Sequence, residues 1–234
     1  MTEDQAEPTP AAGNPDRPLL RLLLFAVLAA LIATALAAVV AGAVAGARWM
    51  AVYSPTHRDE PLPVLFDDMP AFELTDQHDR TVTPANLEGR IWIASFIFTR
   101  CGGICPMITA HKSELQRLLD SEGTSADDVQ LVSFSVDPGH DTPAVLREYA
   151  DRYDADPDRW LFLTGERDVM WRLVGDGFRL MVEEQADESM PIAHSNRFVL
   201  VDRAGRIRGY YDALDLDKRT ELLADLQWLL AEGE

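Results

Sequence analysis

The sequence predicts an α/β sandwich domain preceded by an N-terminal membrane-spanning helix. Three observations lead there. A run without charge, LLLFAVLAALIATALAAVVAGAVAGA (Leu22–Ala47), stands near the N-terminus. Further along, the apolar runs IWIASFIF and VQLVSFSV are each followed by a segment of helical character. The chain then closes on a strand–turn–strand pattern and an amphipathic stretch. Strands that are apolar throughout are those covered on both faces, and strands alternating with helices build a layered α/β arrangement.

The uncharged run has about 26 residues where a spanning helix needs ~20. It lacks the polar stripe of a helix lying on a globular core. Ala-Gly-Ala before Arg48 resembles a signal-peptide cleavage site, but signal-peptide apolar regions run only ~7–15 residues. An uncleaved anchor over residues 18–50 is the expectation. Residues 1–17, rich in Pro, Ala and acid, read as a disordered tail. Residues 51–64 carry three prolines and read as an extended linker. The folded domain is expected over 65–234. Arg17 and Arg21 flank one end of the run and Arg48 and Arg58 the other, so positive-inside counting leaves orientation tied.

At 234 residues the chain accommodates one ordinary domain plus this appendage. Its 39 acidic against 21 basic residues give a formal net charge of −18. Such a surface repels phosphate backbones, which argues against a nucleic-acid partner.

The domain reads element by element. AFELTDQHDRTVT is a small hairpin turning over Asp76–Arg80. Ile91–Phe98 is the first long strand, and Pro106 opens a helix to about Leu119, where its missing N–H costs nothing. Val129–Val136 is a second buried strand; DPGHDTP turns the chain, and Pro143 begins a second helix. Trp160–Thr164 is a third strand and Glu166–Val174 a third helix, after which FRLMV is a candidate edge strand. NRFVLVD–RAG–RIRGYYD reads as a hairpin about a glycine turn, and LDKRTELLADLQWLLAE as the closing helix.

Both cysteines of the chain, Cys101 and Cys105, lie in FTRCGGICPM between the first long strand and its helix. That placement narrows the α/β class to a thioredoxin-like fold. A thiol at a helix N-terminus is expected to favour its thiolate form. Gly102 and Gly103 are expected to let the loop fold back through positive φ. Three intervening residues permit a disulfide and also allow both sulfurs to reach one ion. A structural zinc site wants four ligands, and this chain has one cysteine pair. The pair therefore reads as redox-active or as half of a soft-metal site, copper(I) above all, and less as a structural staple. An imidazole third ligand would also accommodate copper(II).

Five histidines are available for that place. His57 in the linker, His78 in the first turn and His111 on the cysteine helix read as surface residues. His140, in the turn after the second buried strand, shares a sheet edge with the cysteine loop and is a candidate for the site rim. His194, in MPIAHSNRF, reads on spacing as a loop histidine free to act as a ligand.

Taken together, FTRCGGICP, SFSVDPGHDTP and AHS followed by FVLVDRAGRIRGYYD resemble the SCO/SenC family over about residues 65–230. These are membrane-anchored, thioredoxin-like copper proteins of cytochrome c oxidase assembly. The resemblance implies copper on Cys101, Cys105 and His194, with Asp137 at an acidic position supporting the site. It implies a domain on the periplasmic or other extracytoplasmic side of the inner membrane, and as partner cytochrome c oxidase subunit II or another copper-accepting protein. Two positions depart from the family pattern: Ala193 stands where an acidic residue often precedes the histidine, and Gly102-Gly103 where the loop often holds Pro and an acid. Met107 and Met190 are candidates for handing over copper(I), though a methionine beside a helix start is otherwise expected in the core.

The function so implied is delivery of copper to the copper A centre of the oxidase. The alternative is a thiol–disulfide oxidoreductase that reduces the cysteines of that centre before it is metallated, with Cys101 and Cys105 as its redox pair. A thiol peroxidase is disfavoured, since no Thr-x-x-Cys arrangement leads into Cys101.

Overall fold

A computed structural model describes residues 61–67, 69–185 and 192–232, together with Ile32, Thr34, Leu36 and Ala37. The chain divides into two compact units, Met1–Val52 and Tyr53–Glu234. Of the first unit, the four described residues are helical and exposed. The expected tail 1–17 and linker residues 51–60 lie outside the described residues, as does most of the expected anchor. Among the described residues no helix is long and apolar enough to cross a membrane.

The second unit is built on a mixed sheet. Its elements are β1 (Leu74–Asp76), β2 (Thr81–Val82), α1 (Pro84–Leu87), β3 (Ile91–Ile97), α2 (Cys105–Ser121), β4 (Val129–Ser135), α3 (Pro143–Arg152), β5 (Trp160–Thr164), α4 (Arg167–Arg172), β6 (Val182–Glu184), β7 (Ile192–His194), β8 (Arg197–Val201), β9 (Ile207–Asp212) and α5 (Leu216–Glu232). Among the described residues the main sheet has seven strands, in the order β2-β1-β5-β4-β3-β8-β9. Strands β3, β4 and β5 are mutually parallel, and the flanking pairs are antiparallel.

Every residue of β3, β4 and β5 is buried, as their unbroken apolar runs require. One face of the sheet carries Trp92, Phe96 and Phe134, which close on Phe178; the Phe96 and Phe178 rings are 4.9 Å apart. The other face carries Ser95, Ser133 and Tyr211. It is covered by α2, α3 and α5, through Lys112 to Ser95, Thr109 to Tyr149 and Tyr211 to Asp225.

Three boundaries differ from the sequence expectation. The cysteine helix begins at Cys105, one residue before Pro106, because Ile104 already has helical φ and ψ. The third helix stops at Arg172 and passes into a π-turn over Leu173–Gly177, which a helical pattern cannot distinguish from a continued helix. Of FRLMV, only Val182 enters a strand; β6 pairs with β7 in a separate two-stranded sheet, not with the main sheet. The β8–β9 hairpin forms as expected, with Gly205 taking a φ of 77° in its turn.

That hairpin also fastens the incoming chain. Asp202 accepts from the backbone N–H groups of Ala204 and Arg206 and from the side chains of Arg206 and Arg208, at 2.8–3.0 Å. Arg208 is buried and donates to the carbonyls of Leu62 and Pro63. Burial pushes the Asp202 carboxyl up, but hydrogen bonds from Arg206 and Arg208 and the Arg206 charge outweigh it and hold the pKa below its ordinary value. This contribution to stability is complete above about pH 4 and is lost as acid takes the solution through the folded value. Asp202→Ala removes the shorter ion pair of the buried Arg208, leaving it Glu232 at 3.4 Å and two carbonyls, and should cost about 2 kcal/mol in urea unfolding. A loss under about 0.5 kcal/mol would show that the hairpin does not depend on this carboxylate.

Candidate metal centre

Strand β3 delivers the chain through Phe98 and Thr99 into the cysteine loop. The loop is held by two carboxylates from the facing turn after β4. Asp141, fully buried, accepts from the Thr99 N–H at 3.0 Å, from Thr99 Oγ1 at 2.5 Å and from Ser135 Oγ at 2.5 Å. Asp137 accepts from Arg100 Nε at 2.6 Å, beside Cys101. The parallel register of β3 and β4 places Ile97 opposite Ser135, which brings both turns to the same end of the sheet.

Cys105 is the first residue of α2 and has no exposed surface; Cys101 is 5% exposed, and both thiols are free. His194 ends β7 and points its Nε2 at Cys105 Sγ, 3.3 Å away. Its Nδ1 is 3.1 Å from the Ser195 carbonyl, which can only accept. Nδ1 therefore carries the proton and leaves the Nε2 lone pair toward the sulfur. The Phe98 ring meets the imidazole edge-on at 5.6 Å and fixes its plane.

Burial governs the protonation of this pair. It pushes the Cys105 thiol far up; a backbone hydrogen bond involving Phe98 works against it, while the Cys101 side chain adds to it. The expectation that the helix N-terminus favours a thiolate is corrected for Cys105, whose burial raises the thiol pKa. His194 is pushed down by burial against a backbone bond to Ser195, so it stays neutral. The pair is thus a thiol facing a neutral imidazole, and a cation bound there would displace the thiol proton.

Two sulfurs and an imidazole nitrogen are a donor set suited to a soft or borderline cation. Among the described residues, however, no three Cys, His, Asp or Glu side chains converge closely enough to hold an ion as they stand. Cys105 and His194 already meet. Cys101, also buried, is close enough to act on the Cys105 thiol.

The other candidates are scattered. His78 and His140 are exposed, and His57 and Met190 lie outside the described residues. His111 corrects the surface expectation: it is half-buried, and its Nδ1 bonds the Ala213 carbonyl at 2.8 Å, tying α2 to the β9–α5 connection. Met107 is 51% exposed, against the core expectation, since it lies off the buried seam of α2. Gly102 and Gly103 do not take positive φ. A Cβ on Gly102 would have no neighbour within 4 Å, so neither backbone strain nor crowding requires glycine at that position. Beside the loop lies a cleft of about 280 Å³ bordered by Arg100, Asp137, Gly139 and Ile192, with the Arg167–Glu184 ion pair at its rim.

Sequence reasoning missed Asp141, Thr99 and Arg100. For Asp141 a signal was present in DPGHDTP, where two acids four residues apart bracket the turn.

A family model described as SCO1/SenC matches residues 66–231. The SCO1 protein homolog of Bacillus subtilis is 33% identical over 157 residues, covering 67% of this chain and 79% of its own. BsSco, described as a member of the Sco family of cytochrome c oxidase assembly proteins with a disulfide switch, superposes with a TM-score of 0.64 at 30% identity, over 73% of this chain and 98% of its own. Bradyrhizobium japonicum ScoI, solved with copper bound, superposes at 0.57 and 28% identity, over 68% and 98%. The thioredoxin-like α/β fold expected from the cysteine placement is the fold of these neighbours. A family model spanning most of the domain, and a relative one-third identical along most of its length, show that the chain belongs to the SCO1/SenC family.

Proposed function

We propose that the chain is a membrane-anchored copper chaperone that carries one copper on Cys101, Cys105 and His194. It passes the metal to the copper A centre in subunit II of cytochrome c oxidase or to a similar acceptor. The observation that carries this reading is the 3.3 Å approach of His194 Nε2 to Cys105 Sγ, with the second thiol in the same buried mouth. Two thiolates hold copper(I), and the imidazole adds the borderline nitrogen that copper(II) requires. Copper binding described for the Bradyrhizobium neighbour supports the choice of metal.

The residues divide the work. Asp141 and Asp137 hold the cysteine loop in reach of α2, while the Ser195 carbonyl orients His194. Loading releases the thiol protons, and transfer takes them up again, so cargo exchange is coupled to proton exchange. The uncharged run Leu22–Ala47 anchors the chain with its N-terminus inside and its domain on the extracytoplasmic side. A reporter fused after Glu234 should therefore be active only outside the cytoplasm; activity confined to the cytoplasm reverses the topology.

A second reading has its own support in the disulfide switch described for BsSco. Here Cys101 and Cys105 would cycle between dithiol and disulfide and reduce the acceptor's cysteines. One set of variants separates the two. In a copper carrier, His194→Ala should remove or strongly weaken copper(II)–thiolate charge-transfer absorption, keep some copper(I) binding and change dithiol exchange little. Cys101→Ser and Cys105→Ser should remove both activities. Unchanged copper(II) spectra in His194→Ala, with dithiol exchange slowed about tenfold (~1.4 kcal/mol of barrier), would discard the carrier and leave the reductase.

A further inference from the structure

Helix α2 meets the sheet along Cys105, Ile108, Lys112, Leu115 and Leu119, all buried and spaced by three and four residues. Four of these suit a core. The fifth is a lysine with no exposed surface. Lys112 Nζ donates to Ser95 Oγ at 2.8 Å and to the Val132 carbonyl at 2.7 Å. It lies 5.9 Å from the centre of the Trp160 ring and 5.8 Å from that of Phe198. Ser95 shares a 3.0 Å hydrogen bond with Ser133, whose oxygen also accepts from Trp160 Nε1 at 3.0 Å.

The surroundings fit an amine better than an ammonium. A neutral amine has two N–H groups, and two acceptors are in place. A third N–H would face only the rings; these attract a cation but do not replace the hydration it loses on burial. Strand β3 presents Ser95 to Lys112, β4 Ser133 and the Val132 carbonyl, β5 Trp160 and β8 Phe198; none of these side chains titrates as an acid or base near neutral pH. The titratable groups of this layer have partners of their own: Tyr149 of α3 bonds Thr109, and Tyr211 of β9 bonds Asp225 of α5. Cys105 lies two turns back along α2 itself. Burial alone drives the Lys112 amine well below its ordinary pKa, with no carboxylate acting on it.

We propose that Lys112 is a proton-operated release for helix α2. Uncharged, it completes the seam between helix and sheet; on taking a proton from water it no longer fits there, and the helix that begins at Cys105 loosens. The inference rests on the packing of α2 and holds whether or not the cysteines carry copper.

The sign follows from the two protonation states. Below the ordinary value of 10.5 the unfolded chain holds a proton at Lys112 that the folded chain does not. Stability therefore falls as pH is lowered from that value, and levels off once the folded amine also takes its proton. An apolar side chain of similar length removes this dependence.

The test uses the metal-free full chain in lipid nanodiscs, so that its failure leaves the copper reading untouched. Thermal unfolding of wild type and Lys112→Met is compared from pH 5 to pH 9. The variant should melt higher by roughly 5 °C at pH 6, and the gap should narrow as pH rises. Hydrogen exchange, corrected for intrinsic rates, should show residues 105–121 opening in acid relative to β3 and β4 in wild type but not in the variant. A melting difference that is constant with pH overturns the proposal, as does acid-insensitive exchange along α2. Should Lys112→Met not fold, nitrogen NMR of the wild-type lysine amines decides: a neutral Lys112 at pH 8 supports the release, and an ammonium at pH 8 sinks it.

Discussion

The candidate centre depends on one buried carboxyl group. Asp141 gathers two hydrogen bonds from Thr99 and one from Ser135, and so ties the exit of β3 to the exit of β4. Burial raises its pKa against these hydrogen bonds and against ordinary carboxylate behaviour. A group so placed costs free energy unless each of its oxygens is satisfied, and here both are. What results is a cysteine loop held firmly just before Cys101.

Burial also explains why the resting pair is neutral. In water a thiol at a helix start loses its proton readily, and an imidazole near pH 6.5 is partly charged. At the mouth of α2 neither form of charge is favoured, since each ion would lie in a low-dielectric interior with Phe98 against it. A buried thiol beside a neutral imidazole is a poorer nucleophile than a thiolate at Cys105 would be. A soft cation changes the balance by supplying the positive charge that two thiolates need.

Much of this was legible in the sequence for identifiable reasons. Strands β3, β4 and β5 read clearly because a strand buried on both faces is apolar at every position, and the β8–β9 hairpin because Gly205 marks its turn. The resemblance pointed to His194, since spacing alone leaves it a loop residue; its 3.3 Å approach to Cys105 depends on the pairing of β6 with β7, both distant from the cysteines in sequence. The thiolate expectation failed because a helix dipole is local and readable, whereas desolvation depends on everything packed around Cys105. Asp141 was passed over because Asp before Thr-Pro is explained equally well as a turn former. Position alone could not say that its carboxyl reaches across 42 residues to Thr99.

Lys112 has a similar lesson in the opposite direction. A lysine on an amphipathic helix is normally on the wet face, and a pattern count accepts it there. Spacing from Cys105 and Ile108 to Leu115 and Leu119 instead puts it on the buried seam, between two residues that touch the sheet. Nothing in copper binding requires a lysine at that position, and an unbranched apolar side chain would fill the same volume. Serines at Ser95 and Ser133 are equally unneeded by a core, yet they face each other across β3 and β4 and accept the Lys112 and Trp160 donors. Three polar side chains so matched form a unit whose members make sense only together. The seam that seats the cysteine helix is thus weaker than its apolar residues alone would make it, and the weakness lies two turns from the thiol that meets His194.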